Sequence, residues 1–453
     1  MASPLDLIDT VVIVILENRS FDHMLGYLSL DGPGQMPVEG LQSDPEWQQR
    51  HASSVVAPFA FAVQSIDDPP HEMATIAIQI GAPATPNGPY PMNGFVESYL
   101  KRQPPPADKR LVMGYYEAAA VPMLDFFARH FTVCDHWFAA LPTGTQANRL
   151  MAMSGTTSLI DNAPLFLPDQ PLVYDWLSER NISWCAYQSG DFLPFFALMP
   201  RWQGEIAASL ALDALVPHAH PRFRRYRNFA RDWLSEQNMP AVIFIEPEYT
   251  DGPHFASNDD HPPTGIASGQ AFLRDIYLAL IANPVRWART LMILTYDEHG
   301  GFFDHVSPLP IPTRLSGHGA TPVFLSSGVR VPAFLVSPVA APAQIYRAPL
   351  DHTSVLQLLA DRFAGGVYSA EVSERQPFLS SLAAALAPGA PQAEPPGAPP
   401  AAGLAAPVTA SLPQRSAGAG ANAAAFRLAA AKMAADHAGI AAGWPELRRA
   451  VRD

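Results

Sequence analysis

This 453-residue chain reads as an α/β protein, a three-layer α/β/α sandwich on a mostly parallel central sheet. Two features carry that expectation. Three runs, VVIVIL (11–16), AVIFIE (241–246) and LMILTY (291–296), are aliphatic or β-branched almost throughout. A strand covered on one face alternates apolar and polar residues, whereas one that is apolar throughout is covered on both faces, as central parallel strands are. Helical stretches separate the three runs, and strands alternating with helices build a parallel sheet between helical layers.

In chain order, 11–16 is the first buried strand. Residues 31–110, rich in Pro and Gly, are expected to be irregular insertions over the sheet edge. Helices are expected at PMLDFFARHF (122–131), NRLMAMSG (148–155) and VYDWLSER (173–180). Segment 187–222 reads as irregular again, and a further helix is expected near 226–236. Strand 241–246 is followed by the helix GQAFLRDIYLALIA (269–282), which leads into strand 291–296. VPAFLVS (331–337) reads as one more strand and HTSVLQLLADRF (352–363) as the last helix of the unit. Residues 1–380 are thus expected to form one globular unit. Residues 381–420 contain APGAPQAEPPGAPPAAG, which cannot pack a core and reads as a linker. Residues 421–453 begin Ala-rich and favour helix, so a loosely docked helical tail is expected there. No internal repeats are seen.

Composition narrows the function. Hydrophobic residues make up 48%, enough for a large core, so global disorder is excluded. The net charge of −13 makes the chain a poor general binder of nucleic acid or anionic membrane, although a local basic pocket remains compatible with it. Two cysteines, Cys134 and Cys185, make no disulfide framework and are expected to be buried thiols. The run 11–16 is far shorter than the ~18 residues of a membrane span. Asp6 and Asp9 precede it where a signal peptide would carry positive charge. As it stands the sequence reads as cytoplasmic, with export by another route left open.

The strand ends concentrate oxygen ligands. The first strand stops at Glu17-Asn18, the third at Asp297-Glu298-His299-Gly300-Gly301, and the second at Glu246. Ligands bind outside the carboxyl ends of parallel strands. Carboxylates and an amide gathered on one sheet edge repel one another unless a cation sits among them. The turn LPTGTQANRLMAMSG (141–155) then places Thr145 near a helix N-terminus, with Asn148 three residues on. A threonine there is ordinarily a cap. Next to a metal its hydroxyl is also a candidate nucleophile, and the free N–H groups of a helix start bind phosphate oxygens.

Histidines fall in Pro/Gly/Asp-rich segments rather than on helix faces: His71 in DDPPHEM, His261 in NDDHPP, His218 and His220 in PHAHPRF, His299 and His305 in DEHGGFFDHV, and His352 in DHTS. Loops carry positioned functional groups, and this pattern suits general acid catalysis or phosphate binding near a metal. P-loop, dinucleotide-binding, zincin and nucleophile-elbow motifs are all absent.

Eight segments then follow one another in order: ENRSFDHMLGYL (17–28), DPPHE (68–72), NGFV (93–96), PTGTQANRLMAMSGT (142–156), NDDHPP (258–263), DEHGGFFDHV (297–306), GVRVPAFLVSP (328–338) and DHTSVLQ (351–357). Together they resemble the bacterial phosphoesterase family of phosphatidylcholine-hydrolysing (non-specific) phospholipases C and acid phosphatases, in the alkaline phosphatase superfamily. The resemblance runs from about residue 9 to 365 and implies an alkaline phosphatase-like fold. It implies Glu17, Asn18, Asp297 and Glu298 as metal ligands, Thr145 as nucleophile and further ligand, and Asn148 as a holder of a phosphoryl oxygen. It implies His71 and His261 as pocket histidines that contact the phosphate or protonate the leaving group. His218 and His220 correspond to a family histidine pair in a segment that departs from the pattern. Glu246, His299, Asp304 and His305 are expected as supports or substrate contacts.

The implied reaction is hydrolysis of a phosphate ester through a phosphothreonine, with one divalent ion (Mg, Mn, Ca or Zn). The substrate is a phospholipid diester or a small phosphomonoester, and the shared motifs do not separate the two. DFLPFFALMPRW (191–202) reads equally as a lipid-accepting mouth or as packing. The tail, with no added β-domain, weighs against a long secreted phospholipase. A sulfatase is disfavoured because neither cysteine has the required context, and a non-catalytic scaffold because the ligand positions are intact. Oligomeric state is not legible.

Overall fold

The computed structural model describes residues 4–43, 49–51, 54–61, 66–82, 88–190, 192–216, 219–251, 257–386, 394–400, 421–441, 444 and 447. His218 lies outside them. Eight strands form the main sheet: β1 (Thr10–Leu16), β2 (Thr132–Cys134), β3 (Trp184–Gln188), β4 (Phe223–Arg225), β5 (Val242–Glu246), β6 (Thr290–Tyr296), β7 (Ala333–Val336) and β8 (Ile345–Tyr346). Their spatial order is β8-β2-β7-β6-β1-β5-β3-β4. Strand β1 is central. It pairs in parallel with β5 (Val12 opposite Ile243) and with β6 (Val12 opposite Met292). β7 runs antiparallel to both of its neighbours. Every residue of β1, β5 and β6 is buried, as their unbroken apolar composition required.

Of the helices, α1 (Phe21–Leu25) follows β1, and α2 (Met73–Ile80) follows the His71 loop. Next come α3 (Pro122–His130), α4 (Thr145–Ser154), α5 (Val173–Glu179) and α6 (Pro200–Leu215). The last three are α7 (Ala267–Ile281), α8 (Thr353–Phe363) and α9 (Ala421–Asp436). Helix α3 packs on α7, and α8 packs on α4. No described helix is long and apolar enough to cross a membrane.

Two expectations are corrected. Segment 187–222 is not irregular, because it contains α6, a 16-residue helix with Pro200 in its first turn. The tail is not loosely docked. Ala425, Phe426, Ala429, Ala430 and Met433 of α9 are buried, as are Trp444 and Leu447. Before it, the carbonyls of Pro396 and Pro399 accept hydrogen bonds from Tyr277 Oη and Arg274 Nε of α7. Cys134 on β2 and Cys185 on β3 are buried and free, and burial pushes both thiols up.

A buried ion network fastens α1 to the loop after β6. Arg330 donates to Asp304 Oδ1 at 2.9 Å, to Asp22 Oδ1 at 3.1 Å and to the carbonyls of Glu39 and Asp135. His305 Nδ1 lies 2.6 Å from Asp22 Oδ2. Arg330 is fully buried and stacks on Phe21. Replacing Arg330 with Met would strand two buried carboxylates. Urea denaturation of that variant is expected to give a loss of about 3–5 kcal/mol.

Candidate functional site

The ends of β1 and β6 are tied together residue by residue. Asp297 N–H donates to Leu16 O, and Arg19 N–H to Glu298 O. Asn18 adopts a left-handed backbone (φ 61°), a conformation asparagine tolerates better than most residues. That turn points Asn18 N–H at Asp297 Oδ1, 3.1 Å away. Gly300 (φ 64°) passes so close that a Cβ there would lie 2.1 Å from the Asn18 carbonyl oxygen. Glycine is therefore required for the two strand ends to meet.

Helix α4 brings Thr145 to this edge. Thr145 and Arg149 are one turn apart on the same helix face. The buried Arg149 guanidinium reaches Asp297 Oδ2 (3.3 Å), Glu17 Oε1 (3.4 Å) and the Leu16 carbonyl (3.2 Å). Its Nη1 also donates to Tyr249 Oη, 3.2 Å away. The rings of Phe195 and Tyr249, 5.8 Å from each other, each lie 5.4 Å from its Cζ and shield the charge from one side.

Asn148 does a different job from the one expected. Its Oδ1 accepts from Leu141 N–H, and its Nδ2 donates to the carbonyls of Leu141, Thr143 and Gly144. The amide is committed to the turn that presents Thr145. From the other side, Asn162 Oδ1 accepts from Gln146 N–H. Asp161 Oδ1 receives both Thr143 Oγ1 and Met73 N–H, joining the Thr145 turn to the start of α2.

Three buried oxygens in this region have no hydrogen-bond partner among the described residues: Thr145 Oγ1, Asn18 Oδ1 and Glu298 Oε1. A buried polar atom left in this way is costly unless something outside the chain satisfies it. The donor set is oxygen-only and suits a hard divalent cation. Glu17 and Asp297 do not converge with Glu298 into one tight carboxylate cluster. Among the described residues, the groups whose ligand atoms lie within 4.8 Å of one another are Asp68–His71–His261, Asp22–Asp304–His305 and His220–Asp232–Glu236. Arg149 stands between Glu17 and Asp297 instead. Burial pushes Asp297 up to about 6, against the pull of Arg149 and with a further push from Glu298.

The two pocket histidines are brought together. The rings of His71 and His261 meet edge to face at 5.8 Å, and His71 Nε2 lies 3.5 Å from Asn18 Nδ2. Burial works against a charge on His71, but Glu298, Asp68 and Glu72 overcome it and raise the imidazole to about 10. His299 is a support: Nε2 pairs with Gln79 Oε1 at 2.7 Å, and Gln79 in turn holds the Pro70 carbonyl next to His71. Glu246 receives Phe195 N–H and Tyr249 Oη, which places it behind the Arg149 cage. Asp304 and His305 belong to the Arg330 network. His220 pairs with Glu236 beside edge strand β4, three strands away from β1, and does not join the others.

Sequence reasoning missed Arg149, Tyr249 and Asn162. The signal for Arg149 was present, because a lone arginine in the otherwise apolar stretch NRLMAMSG needs a buried anion.

A model of the Phosphoesterase family matches residues 8–365. Non-specific phospholipase C1 of Arabidopsis thaliana is 32% identical over 346 residues, 73% of this chain and 61% of its own length. Phospholipase C A of Mycobacterium tuberculosis is 28% identical over 404 residues, 79% of this chain and 73% of its own. The chain thus spans about three-fifths of the plant protein's length. Among solved structures, the phosphonate monoester hydrolase of Agrobacterium radiobacter aligns over 79% of this chain and 74% of that one, at 12% identity and a TM-score of 0.36.

His352 gives a pH test of the edge. Its Nε2 pairs with the Asp297 carbonyl at 2.6 Å and its Nδ1 accepts from Trp137. Burial lowers it from the ordinary 6.5 to about 4. The unfolded chain therefore binds this proton first as pH falls. The associated stability is complete above pH 6.5 and is lost progressively towards pH 4, by no more than about 3 kcal/mol. Melting curves across that window are expected to fall less steeply for His352→Gln than for wild type.

Proposed function

The chain belongs to the Phosphoesterase family, and from that premise we propose that it hydrolyses phosphate esters through a phosphothreonine on Thr145, with phospholipid-type phosphodiesters as substrate. The observation that carries the reading is the buried, partnerless Thr145 hydroxyl at the start of α4, on the helix face that meets the carboxylates of Glu17 and Asp297. The diester preference is supported by relatives named phospholipase C in both plant and mycobacterium.

Asn18, Thr145 and Glu298 would hold a divalent cation, with the charge of Glu17 and Asp297 beside it. Such an ion lowers the pKa of a bound hydroxyl and draws charge from phosphoryl oxygens. The rest of the chemistry belongs to the chain. Asn148 and Asn162 fix the turn, so the Thr145 oxygen is pre-aimed and the entropy of aligning it is spent during folding. The oxygen attacks phosphorus and the alcohol leaves from the opposite side. The α4 N-terminus contributes positive potential to the phosphoryl oxygens. His71, beside Asn18 and with His261 at its edge, is positioned to protonate the departing alkoxide. Water then attacks the phosphothreonine and restores the hydroxyl.

The test is a metal-supplemented assay comparing p-nitrophenyl phosphorylcholine with p-nitrophenyl phosphate. Wild type is expected to prefer the choline diester, to lose turnover with a chelator and to regain it on adding back a divalent ion. Thr145→Ala is expected to lower kcat by roughly three orders of magnitude or more. Acid-quenched wild type should carry a phosphorylcholine group on the Thr145 peptide after the diester and a phosphoryl group after the monoester. Preference for the monoester would make the enzyme a phosphatase, and full activity in Thr145→Ala would sink the assignment.

A further inference from the structure

We propose that Phe426, on the C-terminal helix α9, is a positioning residue for the catalytic centre and acts through Tyr249 on Arg149. The proposal rests on the phosphoesterase reading and adds to it a residue well beyond the matched span 8–365.

Arg149 is the cation between Glu17 and Asp297, and its orientation is set by two aromatic rings and one hydroxyl. Phe195 and Tyr249 each lie 5.4 Å from its Cζ, and Tyr249 Oη accepts from its Nη1. Neither ring belongs to the sheet. Phe195 sits in a short turn ahead of α6, and Tyr249 in the segment that leaves β5. A side chain on such a segment is only as fixed as what packs on it. Glu246 holds both through Phe195 N–H and Tyr249 Oη, and the ring that packs across both is Phe426. Its ring stacks on Tyr249 (centroids 5.6 Å apart, planes at 26°) and meets Phe195 edge-on at 6.1 Å. Phe192 completes the cluster at 6.1 Å.

The rest of the buried face of α9 is small. Ala425, Ala429 and Ala430 bring the helix close, and Met433 is the only other large side chain buried there among its described residues. Contact with the catalytic unit is therefore concentrated where it bears on Arg149. Phe426 touches neither the carboxylates nor Thr145. Its effect passes from the Phe426 ring to Tyr249, with Phe195 alongside, then to Arg149 and from there to Glu17 and Asp297. Without Phe426, Tyr249 loses a stacking face and the guanidinium gains freedom to leave the carboxylates. Small displacements of positioned groups cost turnover more than they cost binding.

The experiment uses the full-length protein. Phe426→Ala is expected to lower kcat on p-nitrophenyl phosphorylcholine about tenfold or more, with KM within about twofold. Phe426→Tyr, which keeps the ring, should restore kcat. Met433→Ala loosens the same helix without touching Tyr249 and should leave kcat near wild type. In a Tyr249→Ala background, Phe426→Ala should cost much less than it does alone, because its stacked route to Arg149 is already gone. Hydrogen exchange gives a readout independent of turnover. Amides of 247–251 and of α4 should exchange faster in Phe426→Ala than in Met433→Ala.

The proposal is overturned if Phe426→Ala keeps or gains kcat, if Met433→Ala costs as much, or if the losses with Tyr249→Ala simply add. Should wild type turn over neither ester, the phosphoesterase reading falls. The exchange comparison then decides the Phe426–Arg149 link by itself, and equal exchange in the two variants would overturn it.

Discussion

Three carboxylates, those of Glu17, Asp297 and Glu298, are buried at the adjoining ends of two parallel strands, and the rest of the structure answers to that cost. A single ionised carboxylate moved out of water without a partner costs several kcal/mol. The chain meets the cost first with Arg149, which spans Glu17 and Asp297 from the neighbouring helix. It meets it again with backbone N–H groups, since Asn18 and Glu298 both donate to Asp297 Oδ1 and Gly300 donates to Glu298 Oε2. What these do not satisfy is a set of single oxygens on Asn18, Thr145 and Glu298. Fold and site are thus one problem. The strands must be parallel and adjacent for the acids to meet, and the residue that makes their meeting tolerable comes from the helix that also carries Thr145.

That coupling explains how legible the chain was. β1, β5 and β6 could be read because burial on both faces leaves an unbroken apolar run, and the acids that end β1 and β6 marked the functional edge. β2, β4 and β8 could not, because two or three residues carry no period, and β3 (WCAYQ) mixes polar and aromatic residues. Helix α6 was hidden among aromatic and Pro residues that also suit a loop. The tail misled for a physical reason. Alanine signals helix without signalling a partner, and the docking of α9 rests largely on one ring whose counterparts lie more than 170 positions away in sequence. At the site, reading residue types picked out the acids and the threonine at the strand ends but not the residues that hold them. Asn148 is the plainest case: the residue was singled out correctly, yet its amide holds the backbone turn.

The second buried network shows the same economy away from the chemistry. Asp22, Asp304, His305 and Arg330 join α1 to the loop that follows β6. α1 begins three residues after Asn18, and Asp304 lies six residues after Glu298. A salt-bridged cluster of this kind adds little net stability over an apolar core of the same shape. Its value lies in register. It fixes how two segments leave the sheet edge, and hence where Asn18 and Glu298 end up.

Dryness then makes these arrangements pay in chemistry. Thr145, Asn18, Asp297 and Glu298 are all essentially excluded from solvent, so charges there interact without the screening that water provides. The exclusion has two origins. The Thr145 turn is walled by Asn148, Asp161 and Asn162 from its own half of the chain. The far side of Arg149 is walled by Phe195 and Tyr249, which are themselves covered by Phe426. Removing a wall would not remove a ligand. It would let water and motion in beside the charges, and a preorganised electrostatic site loses its advantage once its dipoles must reorganise. Of the aromatic residues in 191–202, Phe195 shields the guanidinium, whereas Phe196 and Trp202 pack in the core around Tyr174. That accounts for their near-complete burial, where a lipid-accepting mouth would have left them open.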